Sequence, residues 1–80
     1  MDTMKALHDY VRTEIAGGKI ELAPDENLLR TGILDSMGLL KLVTFLEDRF
    51  DFEMGDGDIT PENFGTLEKI RAFVERKTRA

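Results

Sequence analysis

One serine occurs in this chain, Ser36, within Leu34-Asp35-Ser36-Met37-Gly38. The run that follows, Leu39 to Phe50, is strongly amphipathic, so a single hydroxyl stands where a loop becomes a helix. A helix N-terminus carries unpaired N–H groups and a partial positive charge. It is therefore a seat for phosphate, and a phosphodiester at Ser36 would be tolerated electrostatically. Hydrolysis would instead need a base beside the nucleophile and an acid behind it. His8 is the only histidine, and Asp35-Ser36-Met37-Gly38 is no G-x-S-x-G elbow with a strand before it. His8 reads as a surface or boundary residue of a first helix. Asp56-Gly57-Asp58 hints at a calcium loop, but Thr60 and Pro61 stand where an EF-hand needs a ligand and a glycine. A turn explains those residues better, and no metal site is expected. No phosphate-binding glycine loop is present.

The elements that must position Ser36 follow from apolar spacing. Met4, Leu7, Val11 and Ile15 form one stripe on a first helix, stopped by Gly17-Gly18. Lys19 to Asp35 reads as a long loop. Its apolar residues Ile20, Leu22, Leu28, Leu29, Ile33 and Leu34 predict that it packs onto the core. A second helix should run from about Ser36 to Phe50 with Asp35 as N-cap. At 100° per residue, Leu39, Leu42, Val43, Leu46 and Phe50 share the core face. Met37, Leu40, Lys41, Thr44, Asp48 and Asp51 share the opposite face. Met37 and Leu40 are apolar on that outer face, so either the loop covers them or they meet a partner.

Gly55-Asp56-Gly57-Asp58 marks a turn. Thr60-Pro61 is an N-cap with proline at the first helical position. It opens a short third helix, Pro61 to Phe64, closed by Gly65. Thr66 caps a fourth, with Leu67, Ile70, Phe73 and Val74 inside. The expected fold is all-α: a small four-helix bundle of three main helices and one short one, with a long loop between the first and second.

Eighty residues make a single domain, residues 1–80, with a modest core. There is no cysteine, hence no disulfide and no intrinsic thiol chemistry. A formal net charge of -5 argues against nucleic acid, whose phosphates demand a basic surface. Seven acids between Glu47 and Glu62 face Arg49 alone, whereas Lys69, Arg71, Arg76, Lys77 and Arg79 outnumber Glu75 near the end. Basic residues there complement a helix dipole. The acidic half would either meet a basic partner or simply be solvated. No apolar run approaches the roughly 20 residues that span a bilayer, and the start lacks a signal peptide's features. A cytoplasmic monomer without membrane insertion is expected.

The wider pattern adds to this. Leu28-Leu29-Arg30-Thr31-Gly32-Ile33-Leu34-Asp35-Ser36-Met37-Gly38, then Leu42-Val43, Leu46-Glu47 and Arg49-Phe50, resembles the acyl and peptidyl carrier proteins. The likeness continues through Thr60-Pro61-Glu62-Asn63-Phe64 and the last amphipathic helix. It implies that a phosphopantetheinyl transferase attaches 4′-phosphopantetheine from coenzyme A to Ser36, and that cargo rides on the arm's thiol as a thioester. By this resemblance the chain is not an enzyme. Asp35, Met37, Gly38, Leu40 and Lys41 would form the recognition surface for partners, a downstream acyl transferase or synthase included.

Carriers of fatty acid synthesis usually place an acid directly after the D-S-L box and another three residues on. Here those positions are Gly38 and Lys41. A strongly acidic recognition helix is thus lacking near Ser36. Gly32-Ile33-Leu34-Asp35-Ser36-Met37-Gly38 looks closer to D-alanyl carriers and to stand-alone carriers served by an adenylating ligase. An activated amino acid is the expected cargo, and a fatty or polyketide acyl group the alternative. The competing reading is a helical interaction module that carries no arm.

Overall fold

A computed structural model describes residues 3–18, 21–55 and 57–78. In chain order it contains α1 (Thr3–Tyr10), a π-helical segment (Val11–Ile15), α2 (Ser36–Phe50), α3 (Pro61–Phe64) and α4 (Leu67–Thr78). Among the described residues there is no strand. The expected all-α bundle is observed, and its local signals explain the element ends. The Asp35 carboxylate accepts the Gly38 N–H at 2.8 Å. Thr60 Oγ1 accepts the Asn63 N–H at 3.3 Å, and Thr66 Oγ1 accepts the Lys69 N–H at 3.1 Å. Each cap satisfies one amide that the helix itself leaves unpaired.

The first helix differs from its expected form. The α-helix ends at Tyr10 and widens into the π segment, where the Ala16 N–H reaches the Val11 carbonyl at 2.8 Å. Gly17 and Gly18, at φ 83° and 78°, then turn the chain away, with the Gly18 N–H on the Arg12 carbonyl at 2.7 Å. Leu7 and Val11 are fully buried, as their spacing predicts, and Met4 and Ile15 pack at the core's edge.

The core is formed by Leu7, Val11, Leu42, Leu46, Phe64, Leu67, Ile70, Phe73 and Val74, joined by Leu22, Leu28 and Leu34 of the long loop. That loop packs down as expected. The Leu28 N–H donates to the Gly65 carbonyl at 2.7 Å, and the Glu68 N–H donates to the Pro24 carbonyl at 3.1 Å. Asn27 organises the turn before Ser36 by accepting the Arg30 N–H at 2.9 Å. Ile20 lies outside the described residues. On α2, Leu42 and Leu46 are buried, whereas Leu39, Val43 and Phe50 are half-buried. Phe45 lies off the expected stripe yet is half-buried, its ring stacked on Tyr10 at 4.0 Å.

Charges of the C-terminal helix are used internally. Lys77 Nζ stands 2.8 Å from Asp58 Oδ2, and Arg76 Nη2 donates to Asn63 Oδ1 at 2.9 Å. Asn63 Nδ2 in turn donates to the Asp58 carbonyl at 2.8 Å, and Asp58 Oδ2 accepts the Gly55 N–H at 2.7 Å. Hydrogen bonding from Lys77, then from the Gly55 amide, holds the Asp58 carboxyl below its ordinary value of 3.8. A folded value below the unfolded one means that the carboxylate adds stability above 3.8 and loses it as pH falls through the depressed folded value. Thermal melts of wild type and Asp58→Asn should therefore differ at neutral pH and converge in acid. A gap independent of pH would show that the ion pair is not its source. Asp56 of the expected turn lies outside the described residues.

Candidate functional site

Ser36 opens α2 and is exposed. Asp35 precedes it in extended backbone, at φ -88° and ψ -172°. The Asp35 carboxylate takes the Gly38 N–H, and its carbonyl takes the Leu39 N–H at 2.8 Å. No hydrogen bond engages the amides of Ser36 and Met37 among the described residues. The serine hydroxyl thus stands beside two unspent donors at the positive end of a 15-residue helix. That donor set suits the single negative charge of a phosphodiester, and it offers no base.

Two hollows adjoin the first turn of α2. One, of about 260 Å³, is lined by Ser36, Leu39, Leu40, Val43 and Ile59 and is almost wholly apolar. The other, of about 460 Å³, lies toward the π segment and includes Glu14, Ile15, Asp35, Gly38 and Lys41. Nothing in the sequence marks Ile59 for this place. It belongs to a distant loop that only the packed fold brings beside Ser36, where its side chain is exposed.

Four of the five expected recognition residues are at the surface. Asp35 and Lys41 are exposed, Met37 is 70% exposed and Leu40 is 65% exposed. The loop does not cover the two apolar ones. Gly38 departs from the expectation in being buried and having no side chain to offer a partner. A Cβ built there would lie 3.0 Å from Ile15 Cγ2. The signal was present in the spacing: Gly38, Leu42 and Leu46 fall four apart on the buried side, but glycine carries no hydrophobic mark. His8 is half-buried on α1, with Nδ1 3.8 Å from Asp9 Oδ1. Among the described residues no group of three or more acids or histidines is placed to hold a metal ion.

A family profile described as the phosphopantetheine attachment site matches residues 5–74. The chain belongs to this family. It is accordingly a carrier and not an enzyme, and its cofactor is a covalently attached 4′-phosphopantetheine. An interaction module without an arm is thereby set aside. The carrier is 29% identical over 75 residues to a D-alanyl carrier protein of Lactobacillus acidophilus, covering 94% of each chain. It is 38% identical over 71 residues to a D-alanyl carrier protein of Lactococcus lactis subsp. lactis, covering 89% of this chain and 90% of the other. Its fold is similar to the solution NMR structure of a holo acyl carrier protein from Nitrosomonas europaea, with a TM-score of 0.77, 30% identity and 95% of each chain covered. The exposed hydroxyl, the unspent amides and the apolar hollow fit such an arm. Membership also implies dealings with a transferase and with loading enzymes in general. No helix among the described residues is long and apolar enough to cross a membrane.

Proposed function

We propose that Ser36 is the attachment point and that the carrier holds an amino acid, loaded by an ATP-dependent adenylating ligase and passed to a downstream transferase or synthase. The observation that carries the attachment is the lone exposed serine hydroxyl at the capped start of α2. In this reading the Ser36 oxygen forms the new phosphodiester bond as coenzyme A gives up its adenosine bisphosphate, and the serine proton goes to a base of the transferase. The Ser36 and Met37 amides meet the phosphate's charge. Leu39, Leu40, Val43 and Ile59 offer apolar surface to the hydrocarbon parts of the arm. When attached, the group supplies the thiol that holds cargo as a thioester. The chain has no cysteine to compete with that thiol.

The cargo reading rests on the surface around Ser36 and on the D-alanyl carriers among the relatives. Met37 and Leu40 make that surface apolar, and Lys41 adds a positive charge where fatty-acid carriers bear an acid. Loading in the cytoplasm, where ATP and coenzyme A are at hand, suits a monomer passed between such enzymes. The structural likeness to an acyl carrier protein favours a second reading, an acyl cargo for fatty acid or polyketide assembly.

Charging assays separate the two. The arm-bearing protein should be charged by an amino-acid-adenylating ligase with ATP and be a poor substrate for a malonyl transferase. Lys41→Glu should slow ligase loading by about tenfold, mainly through the association rate, and speed malonyl loading. Rapid malonyl loading of the unmutated carrier, with no ligase able to charge it, would establish the second reading instead.

A further inference from the structure

Gly38 stands where three segments meet. A Cβ on it would lie 3.0 Å from Ile15 Cγ2 of the π segment, 3.3 Å from Asp35 Oδ1 and 3.6 Å from the Ile33 carbonyl. Its backbone is helical, so no left-handed conformation asks for glycine. Within a helix glycine is otherwise inferior to alanine. What glycine supplies here is space. The space is filled by Ile15, the last residue of the π segment, and π turns are frequent at functional sites. The group that would be pushed is as telling as the group that would push. Asp35 Oδ1 is the atom that accepts the Gly38 N–H at 2.8 Å. A methyl group at position 38 must displace either the Ile15 methyl or the carboxylate that fixes the first turn. Ser36 lies in the chain between the two ends of that hydrogen bond.

We propose that Gly38 is a positioning residue for modification at Ser36. Its missing side chain lets Ile15 close over the first turn of α2 and keeps the Asp35 carboxylate on that turn's amide, so that the hydroxyl is presented in one place. Ile15 is the other half of the device. The inference rests on Ser36 being the attachment point. It assigns Gly38 a place behind the recognition surface rather than on it.

The test compares arm-free wild type, Gly38→Ala, Ile15→Ala and the double variant as substrates of a phosphopantetheinyl transferase with coenzyme A. Circular dichroism and melting curves are taken on each. Gly38→Ala should lower kcat by about tenfold, because a small misplacement of a reacting group costs rate. Its KM should stay within about twofold of wild type, since the surface that docks is unchanged. Its melting temperature should stay close to that of wild type, because alanine's preference for the helix offsets the crowding at Ile15 and the Asp35 cap. Ile15→Ala removes the crowding methyl, so the double variant should recover kcat to the level of Ile15→Ala alone. Equal kcat for wild type and Gly38→Ala, with both arms on Ser36, would overturn this inference alone. So would a loss that the double variant fails to recover, or one that tracks melting temperature across the four proteins. If Gly38→Ala lost its helical spectrum, recovery of both spectrum and kcat in the double variant would support the contact, and recovery of neither would overturn it. A wild-type protein that takes no arm on Ser36 would bring down the attachment reading first, and this inference with it.

Discussion

Ser36→Ala will take up no phosphopantetheine from coenzyme A in the presence of a transferase, while wild type gains one arm per chain. The expectation is a complete loss, because Ser36 is the only serine of the chain and five of its seven threonines already hold hydrogen bonds. Thr31, Thr44 and Thr78 spend their hydroxyls on the carbonyls of Asn27, Leu40 and Val74. Thr60 and Thr66 accept helix-capping amides, and the Tyr10 hydroxyl lies 3.3 Å from the Lys41 carbonyl. Ser36 has an exposed side chain at the first position of α2. Exchanging it for alanine removes no cap, since Asp35 supplies that. Helical content and melting temperature should therefore stay close to wild type. Intact-mass measurement checks the first point and circular dichroism the second. Mass gain on the alanine variant would place the arm elsewhere. A variant that fails to fold would show that the serine serves the helix rather than the cofactor.

Leu46→Ala will unfold or loosen the domain at room temperature, while Thr44→Ala will melt almost like wild type. Leu46 is fully buried in the middle of α2, among the leucines and phenylalanines of the single core. Cutting such a side chain to alanine costs roughly 2–5 kcal/mol, through lost transfer energy and the cavity left behind. A domain of this size has little more than about that margin, since small chains bury a smaller share of their surface. Thr44, two residues away, is exposed and bonds only the carbonyl of its own preceding turn. Urea titrations of both variants would read the contrast directly. Equal midpoints would contradict the assigned phase of α2. The same loss of core would reach Ser36 indirectly, because Leu46 shares the buried side of α2 with Gly38 and Leu42, which seat the helix's first turns.

Helix starts and stops, the core phase of α2 and α4, and the inward packing of the long loop were legible from residues. Their causes are local. A capping side chain at Asp35, Thr60 or Thr66 acts on an amide two or three residues away. A leucine repeated every three or four positions specifies a buried side whatever covers it. The lone serine at such a start admitted a phosphate but suited ordinary capping as well; the resemblance of most of the chain to carrier proteins pointed to the arm.

What covers each face was not legible, because it depends on residues far apart in the chain. Tyr10 draws Phe45 partly inside by stacking, so the edge of the buried stripe shifts. Lys77 answers Asp58, so part of the uneven charge is neutralised across the fold, and Arg76 donates to the neutral amide of Asn63. Ile59 becomes a wall beside Ser36 only when its loop packs against α2. Gly38 shows the division most plainly. Its sequence position invites comparison with carriers that bear an acid there, and hence a place on the outer surface. The widened π segment brings Ile15 over it, and a position with no side chain becomes buried. The residues alone place a hydroxyl at a capped helix start. Only the tertiary structure decided which neighbours hold that start in place, because steric contact between distant segments leaves no periodic trace in the chain.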